Sequence, residues 1–257
     1  DKNIDMRPLE LLAPAKNLET GIAAIEHGAD AIYIGAEQLG ARSAAGNSVE
    51  DIAQLCQYAK QFGVKVYVTL NVIVYEHEID YCQKLITQLY EAGVDALIVQ
   101  DMGVLKMDIP PIELHASTQT DNRTADKVAW LKSLGFARVV LARELSLDAI
   151  KAIHKEEPDV ELEVFVHGAL CVSYSGVCYV SQHSFGRSAN RGECAQFCRM
   201  SFDLVDSDDR EIEHQRHLLS LKDMCRINEL EQLADAGATS FKIEGRLKDV
   251  SYVKNVV

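Results

Sequence analysis

No run of apolar residues in this chain approaches the roughly 18 needed to cross a bilayer. The longest are strand-sized, such as Val139 to Ala142. Positive charge is also scarce: 26 Lys and Arg stand against 39 Asp and Glu, a formal net charge of −13. A chain so acidic repels itself and stays soluble, which excludes a general nucleic-acid coat and leaves room only for a local basic patch. The start, Asp1-Lys2-Asn3-Ile4-Asp5, is polar and charged and lacks an initiator Met, so a trimmed chain without a visible signal peptide is expected. A glycine-rich phosphate loop, a G-x-S-x-G elbow and an H-E-x-x-H zinc helix are all missing. The single tryptophan, Trp130, falls in a helical pattern and is read as packing. What remains is 47% hydrophobic and 25% charged over 257 residues, which excludes a disordered chain, a collagen repeat and a disulfide mini-protein. A cytoplasmic protein with no membrane contact is expected.

A repeated pattern organises the chain. Five times a helical stretch ends on glycine, at Gly28, Gly63, Gly93, Gly135 and Gly237, and a short link leads into an apolar strand. Glycine there suits a left-handed helix cap. The strands are nearly continuous hydrophobic runs, as expected where helices cover one face and core the other. With three further strands the set is 9–13, 31–36, 65–71, 96–101, 112–118, 137–143, 161–167 and 240–245. Helical periodicity separates most of them, with Ile52, Leu55, Cys56 and Ala59 on one face of 49–61, and Ile79, Cys82, Leu85, Ile86 and Leu89 on one face of 79–92. Eight such units predict an α/β fold, a (β/α)8 TIM-like barrel over 1–257, in preference to a doubly wound open sheet. About 70 residues separate strands seven and eight, an insertion of roughly 168–239 leaving from the C-terminal end of a strand, where barrel enzymes keep their chemistry. The last helix looks cut short at Val257, so more protein, with an additional C-terminal domain, is expected to follow.

Five of the seven cysteines fall in that insertion. Cys171 and Cys178 form one pair, C-x6-C, and Cys194 and Cys198 another, C-x3-C. In a reducing compartment four thiols so arranged suit a metal centre, either structural zinc or an iron–sulfur cluster, against the plainer reading of buried thiols. Gly168, Gly176 and Gly192 let the backbone fold closely around such a group, and Arg187, Arg191 and Arg199 offer positive charge to offset it. Cys225 is a fifth thiol, expected on the helix before strand eight.

These residues also carry a resemblance. The stretch from Glu163 to Ser181, with Cys171 and Cys178 inside it, resembles the signature of the U32 peptidase family; Leu9 to Ala15 and Phe241 to Arg246 resemble its opening and closing motifs. The likeness runs over essentially the whole chain. Through Ala96 to Gly103, Ile109 to Gln119 and Gly186 to Gly192 it is strongest to the branch that hydroxylates a cytidine of 23S ribosomal RNA. Related branches hydroxylate a tRNA uridine or a quinone precursor without molecular oxygen. The resemblance implies a 4Fe-4S cluster on Cys171, Cys178, Cys194 and Cys198, with Cys225 in place of Cys198 in other branches, and zinc or an empty site after aerobic handling. It implies an RNA substrate, rRNA in this branch. The family's older name implies proteolysis, for which Cys171 and His167 are the only nucleophile and base in view.

The ends of the strands supply the remaining candidates: Asn71, Gln100, Asp101, His115, Ser117, Thr118, Arg143, Glu144, His167, Glu244 and Arg246. Of these, His115 and His167 offer imidazoles, the side chain most used for proton transfer, and Arg143 and Glu244 offer an anion contact and a carboxylate. The four are expected around a pocket between the cysteines and the strand ends, as groups for proton transfer and substrate binding.

Overall fold

A computed structural model of the chain describes residues 8–41 and 46–257; the polar start lies outside them. Small polar residues open the helices. Asn17, Ser48, Thr124 and Ser146 each accept a first-turn backbone N–H on a side-chain oxygen, satisfying donors the helix itself cannot. In chain order the helices of the first six units are α1 (Leu18–Glu26), α2 (Val49–Lys60), α3 (Ile79–Glu91), α4 (Ala125–Ser133) and α5 (Leu147–Glu156). The five capping glycines have φ of +105°, +70°, +90°, +97° and +103°, the left-handed region the pattern demanded.

Eight parallel strands follow one another round a closed barrel: β1 (Glu10–Ala15), β2 (Ala31–Ala36), β3 (Lys65–Leu70), β4 (Ala96–Val99), β5 (Glu113–Ala116), β6 (Arg138–Val140), β7 (Glu161–Gly168) and β8 (Ala238–Ile243). Each pairs with the next, and β8 closes on β1 with Glu10 opposite Ser240 and Leu12 opposite Lys242. The barrel, not the open sheet, is the fold. The expected strands overran the ladders at their C-terminal ends, since residues such as Ser117 and Arg143 have already turned into the mouth. Trp130 departs from expectation too: it is exposed, with the Lys127 ammonium 4.4 Å from its ring centre. The indole shelters under a neighbouring lysine one turn away.

The main core lies between barrel and helices, where Ile32, Ile34, Val68, Leu97 and Val139 meet Leu55, Ile86, Leu131 and Ile150. The lumen is different. Leu12, Tyr33, Tyr67 and Ile98 share it with a charged network on its N-terminal side. Arg138 reaches Glu10 at 2.5 Å, Glu161 at 2.7 Å and Glu163 at 3.3 Å; Tyr67 donates to Glu10, and Lys242 pairs with Glu163 at 2.6 Å.

The insertion, residues 169–237, leaves from the C-terminal end of β7 and covers the mouth. It holds a short helix α6 (Val180–Phe185) and an antiparallel hairpin of Phe202–Val205 and Glu211–Arg216. It returns through Met224–Cys225, which pairs antiparallel with β7, Cys225 opposite His167. Cys225 is therefore on a strand, a correction to its expected helix. Helices α7 (Leu230–Asp235) and α8 (Val250–Val256) flank β8. Among the described residues no helix is long and apolar enough to cross a membrane.

Candidate functional site

Alternation along a strand decides which side chains enter the mouth. In the run after Phe241, every second residue, Lys242, Glu244 and Arg246, faces one cavity of about 190 Å³, while Phe241 and Ile243 pack outward. Asn71, Ser117, Thr118 and Arg143 join from the ends of neighbouring strands, and Tyr33, Ile98, Val140 and Phe165 form the floor. The roof is the insertion. Cys171, Cys178, Cys194 and Cys198 all line this cavity and Cys225 does not.

Four anchors seat the cysteine-bearing loops. The Ser175 backbone N–H and hydroxyl both donate to Glu144, at 3.1 and 3.0 Å. Gly176 lies so close to the chain after β5 that a Cβ there would sit 2.2 Å from the Gln119 carbonyl oxygen. Arg191 pairs with Glu78 through both nitrogens, at 2.5 and 2.9 Å, donates to the Ile73 carbonyl and stacks on Tyr75. Arg199 donates to the carbonyls of Leu170 and Leu221, each at 2.8 Å, binding the second cysteine pair to the first. Arg191 and Arg199 thus hold the loops down, and of the three arginines expected to offset a cluster's charge they are committed elsewhere.

Arg143 is the central cation of the cavity. It pairs with Glu244 at 2.8 Å and lies 4.1 Å over the Phe165 ring. Burial would pull its pKa down, yet Glu244 and Cys171 together hold it above the ordinary value. Its Nε is buried without a hydrogen-bond partner, a donor that a bound group would satisfy. Below it, the Lys242 ammonium sits 4.3 Å over Tyr33. Burial pulls the Lys242 pKa below that of an ordinary lysine, against the opposing pull of Glu163.

Two expected neighbours are elsewhere. His115 is fully buried one layer below the mouth, with Nε2 2.7 Å from Glu113 and its ring edge against Tyr67. It shares a face with Ser117, and Ser117 is the one that reaches the cavity. His167 is turned outward by a register shift: Lys242 opposes Phe165, then Ile243 opposes His167, skipping Val166. Such a bulge reverses the alternation, and the ring meets the Tyr252 hydroxyl on α8 at 2.9 Å. Of the other strand-end candidates, Gln100, Asp101 and Glu144 brace loops and do not line the cavity. Lys242, Tyr33 and Tyr174 line it and were missed. A lysine within an apolar strand was the available signal for Lys242, with Glu163 in the equally apolar strand before it.

The spacing of the thiols bears on what they suit. None of the seven cysteines is in a disulfide. Zinc–sulfur bonds of about 2.3 Å put the sulfurs of a tetrahedral site about 3.8 Å apart, but no three cysteine sulfurs lie mutually within 4.8 Å. The only three donors so close among the described residues are Asp203, Glu211 and His214, an exposed hydrogen-bonded trio on the hairpin. Cys171, Cys178, Cys194 and Cys198 thus line one cavity without converging on a single point.

The family model of peptidase family U32 matches residues 16–257. The chain belongs to this family. The U32 chain is 56% identical over 248 residues to the 23S rRNA 5-hydroxycytidine C2501 synthase of Escherichia coli (strain K12), covering 96% of this chain and 38% of that protein. It is 38% identical over 266 residues to the tRNA hydroxylation protein P1 of Bacillus subtilis (strain 168), covering 100% of this chain and 63% of that one. It therefore spans less than two thirds of these relatives. The solved U32 peptidase Mk0906 has the same fold, with a TM-score of 0.59 at 12% identity over 95% of this chain and 96% of that one. For a U32 chain the family name raises proteolysis, but the geometry separates the required pair: Cys171 faces the cavity and His167 binds Tyr252 away from it.

Proposed function

We propose that this chain is the iron–sulfur barrel of an RNA hydroxylase that forms 5-hydroxycytidine in 23S ribosomal RNA. The observation that carries the reading is the convergence of four cysteines on one barrel-mouth cavity, in a chain more than half identical to a 23S rRNA 5-hydroxycytidine synthase. Cys171, Cys178, Cys194 and Cys198 would hold a 4Fe-4S cluster. When bound, it supplies one-electron chemistry beside the cavity.

The chain's own residues receive the base. A cavity of about 150 Å³ holds a benzene, so one of about 190 Å³ has room for one heterocycle. A cytidine must leave its stack to enter. Tyr33 and Phe165 give it apolar faces, and Asn71 and Ser117, hydrogen-bonded to each other at 3.3 Å, offer polar groups on the wall. Lys242 and Arg143 present donors to a carbonyl or anionic oxygen, each neutralised by its own glutamate. The covering insertion roofs the cavity. His115 and His167, which do not line the cavity, are assigned support of the barrel and not proton transfer.

The test is complementation. The intact protein, wild type or Cys171→Ala, is expressed in bacteria lacking their own 23S rRNA cytidine hydroxylase, and nucleosides from rRNA and tRNA are analysed by mass spectrometry. Wild type should restore 5-hydroxycytidine in 23S rRNA and Cys171→Ala should not. Hydroxyuridine appearing in tRNA instead would move the substrate to the other branch. No hydroxylated nucleoside from either RNA would overturn the reading.

A further inference from the structure

A protein of net charge −13 that receives RNA must hold it by something other than a field of cations. Four of the arginines around this mouth are committed. Arg191 is spent on Glu78, Arg199 on carbonyls, Arg143 on Glu244 and Arg123 on Asp121. One aromatic ring is left with a face to solvent. Tyr174 stands in the loop between Cys171 and Cys178, lines the cavity, and is nevertheless 58% exposed. The Arg123 guanidinium lies 4.0 Å from its ring centre. With one face covered and most of the side chain in solvent, the other face is open.

The loop beneath Tyr174 is rigid. Its carbonyl accepts the Val177 N–H, Ser175 is locked to Glu144 by two hydrogen bonds, and Gly176 packs against the Gln119 carbonyl. Arg123 is itself fixed to Asp121 through both Nε and Nη2, so it presses the ring from one side without adding net charge. An exposed tyrosine on a fixed backbone, braced on one face and open on the other, is a stacking surface. Proteins that bind single-stranded RNA use aromatic side chains this way, and the contact tolerates any base because every base has a π-face.

We propose that Tyr174 is the platform on which an unpaired RNA base stacks at the rim of the cavity, orienting the strand so that a nucleotide enters the mouth. This rests on the RNA-hydroxylase reading and adds to it the point at which the strand is gripped. Arg123 is a positioning residue that acts through the Tyr174 ring.

The experiment measures binding of a fluorescent short single-stranded oligoribonucleotide to the intact, cluster-loaded protein. The same oligonucleotide is also made with one abasic site in place of the nucleotide that flanks its cytidine. Tyr174→Ala should weaken binding of the intact strand by about tenfold to hundredfold, the scale of one lost base stack, while Tyr174→Phe stays within about twofold of wild type. Iron content and thermal melting should be unchanged in both, as befits an exposed side chain. The abasic strand should bind wild type as weakly as the intact strand binds Tyr174→Ala, and combining the two changes should add little, because both remove the same contact. Equal binding by wild type and Tyr174→Ala would overturn the proposal. So would full additivity with the abasic strand, or a loss in Tyr174→Phe equal to that in Tyr174→Ala, which would put the contact on the hydroxyl. If wild type does not bind the oligonucleotide at all, the RNA reading itself fails.

Discussion

Arg191 offers the sharpest mechanical test of how the cysteine loops are held. It lies three residues before Cys194 and reaches across to the segment between β3 and α3. There it pairs with Glu78 at 2.5 and 2.9 Å, donates to the Ile73 carbonyl and stacks 4.4 Å over Tyr75. Both partners of the pair are more than four-fifths buried. Removing one partner of a largely buried pair costs about 3–5 kcal/mol, and the stack adds about 0.5–1 kcal/mol. The loop retains its Arg199 contacts and the Ile73 N–H bond to the Asn190 carbonyl. The lower figure, about 3 kcal/mol, is therefore the appropriate one, a shift of roughly a hundredfold toward the undocked loop. Hydrogen-exchange mass spectrometry of Arg191→Ala should show faster exchange confined to 187–199 and the facing 73–78, and iron uptake should fall. Arg191→Lys should rescue only partly, because an ammonium cannot reproduce the two-pronged contact with the carboxylate. Unchanged exchange with full iron content in Arg191→Ala would refute the idea that this clamp positions Cys194 and Cys198.

Two further outcomes follow from the barrel interior and the loop. Burial would raise the pKa of Glu163, but Lys242 and Arg138 hold it below the usual carboxylate range, so its stabilising charge is present above about pH 4.3 and lost as pH falls through its depressed folded value. Melting curves should drop on that acid side, and Glu163→Gln should flatten the drop while lowering neutral stability by about 3–5 kcal/mol; an unaltered acid limb would show that other carboxylates govern it. Gly176→Ala, with φ of +82° and a Cβ 2.2 Å from the Gln119 carbonyl, should cost about 2–4 kcal/mol and release iron. Gly186→Ala, with φ of +64° and open space around it, should cost about 1 kcal/mol and keep iron; equal behaviour of the two would mean that the close approach at Gly176 is not what seats the loop.

Much of this architecture was legible because its signals are local. Gly28 or Gly135 ends a helix by its own φ, and Ala31 to Ala36 reads as a buried strand without reference to any partner. The long link after β7 announced an insertion by length alone, and the four paired cysteines line one cavity. The misreadings needed information from across the sheet. His167 follows Phe165 at the spacing that should put both in the lumen, and only the skipped residue opposite β8 sends it outward. His115 was expected at the pocket, but it sits one layer lower, beside Tyr67 and Glu113, a height set by the stagger of β5 against its neighbours. Cys225 lies in a two-residue strand whose only reason to exist is the free edge at Gly168. Lys242 and Glu163 were passed over because each reads as a lone charge in an apolar strand until the two are seen 2.6 Å apart.

The claim that four cavity thiols hold one cluster is open to direct chemical reading. The intact protein, reconstituted with iron and sulfide or stripped by chelator, is treated with iodoacetamide under anaerobic conditions, and each cysteine is quantified by mass spectrometry. Cys56 and Cys82 serve as controls, since they are buried and burial pushes their thiols up to about 12 and about 11, so both should stay unlabelled in either state. In the stripped protein Cys171, Cys178, Cys194, Cys198 and Cys225 should all react. In the reconstituted protein the first four should be protected together while Cys225 continues to react. Protection of Cys225 with labelling of Cys198, or no difference between the two states, would contradict the assignment.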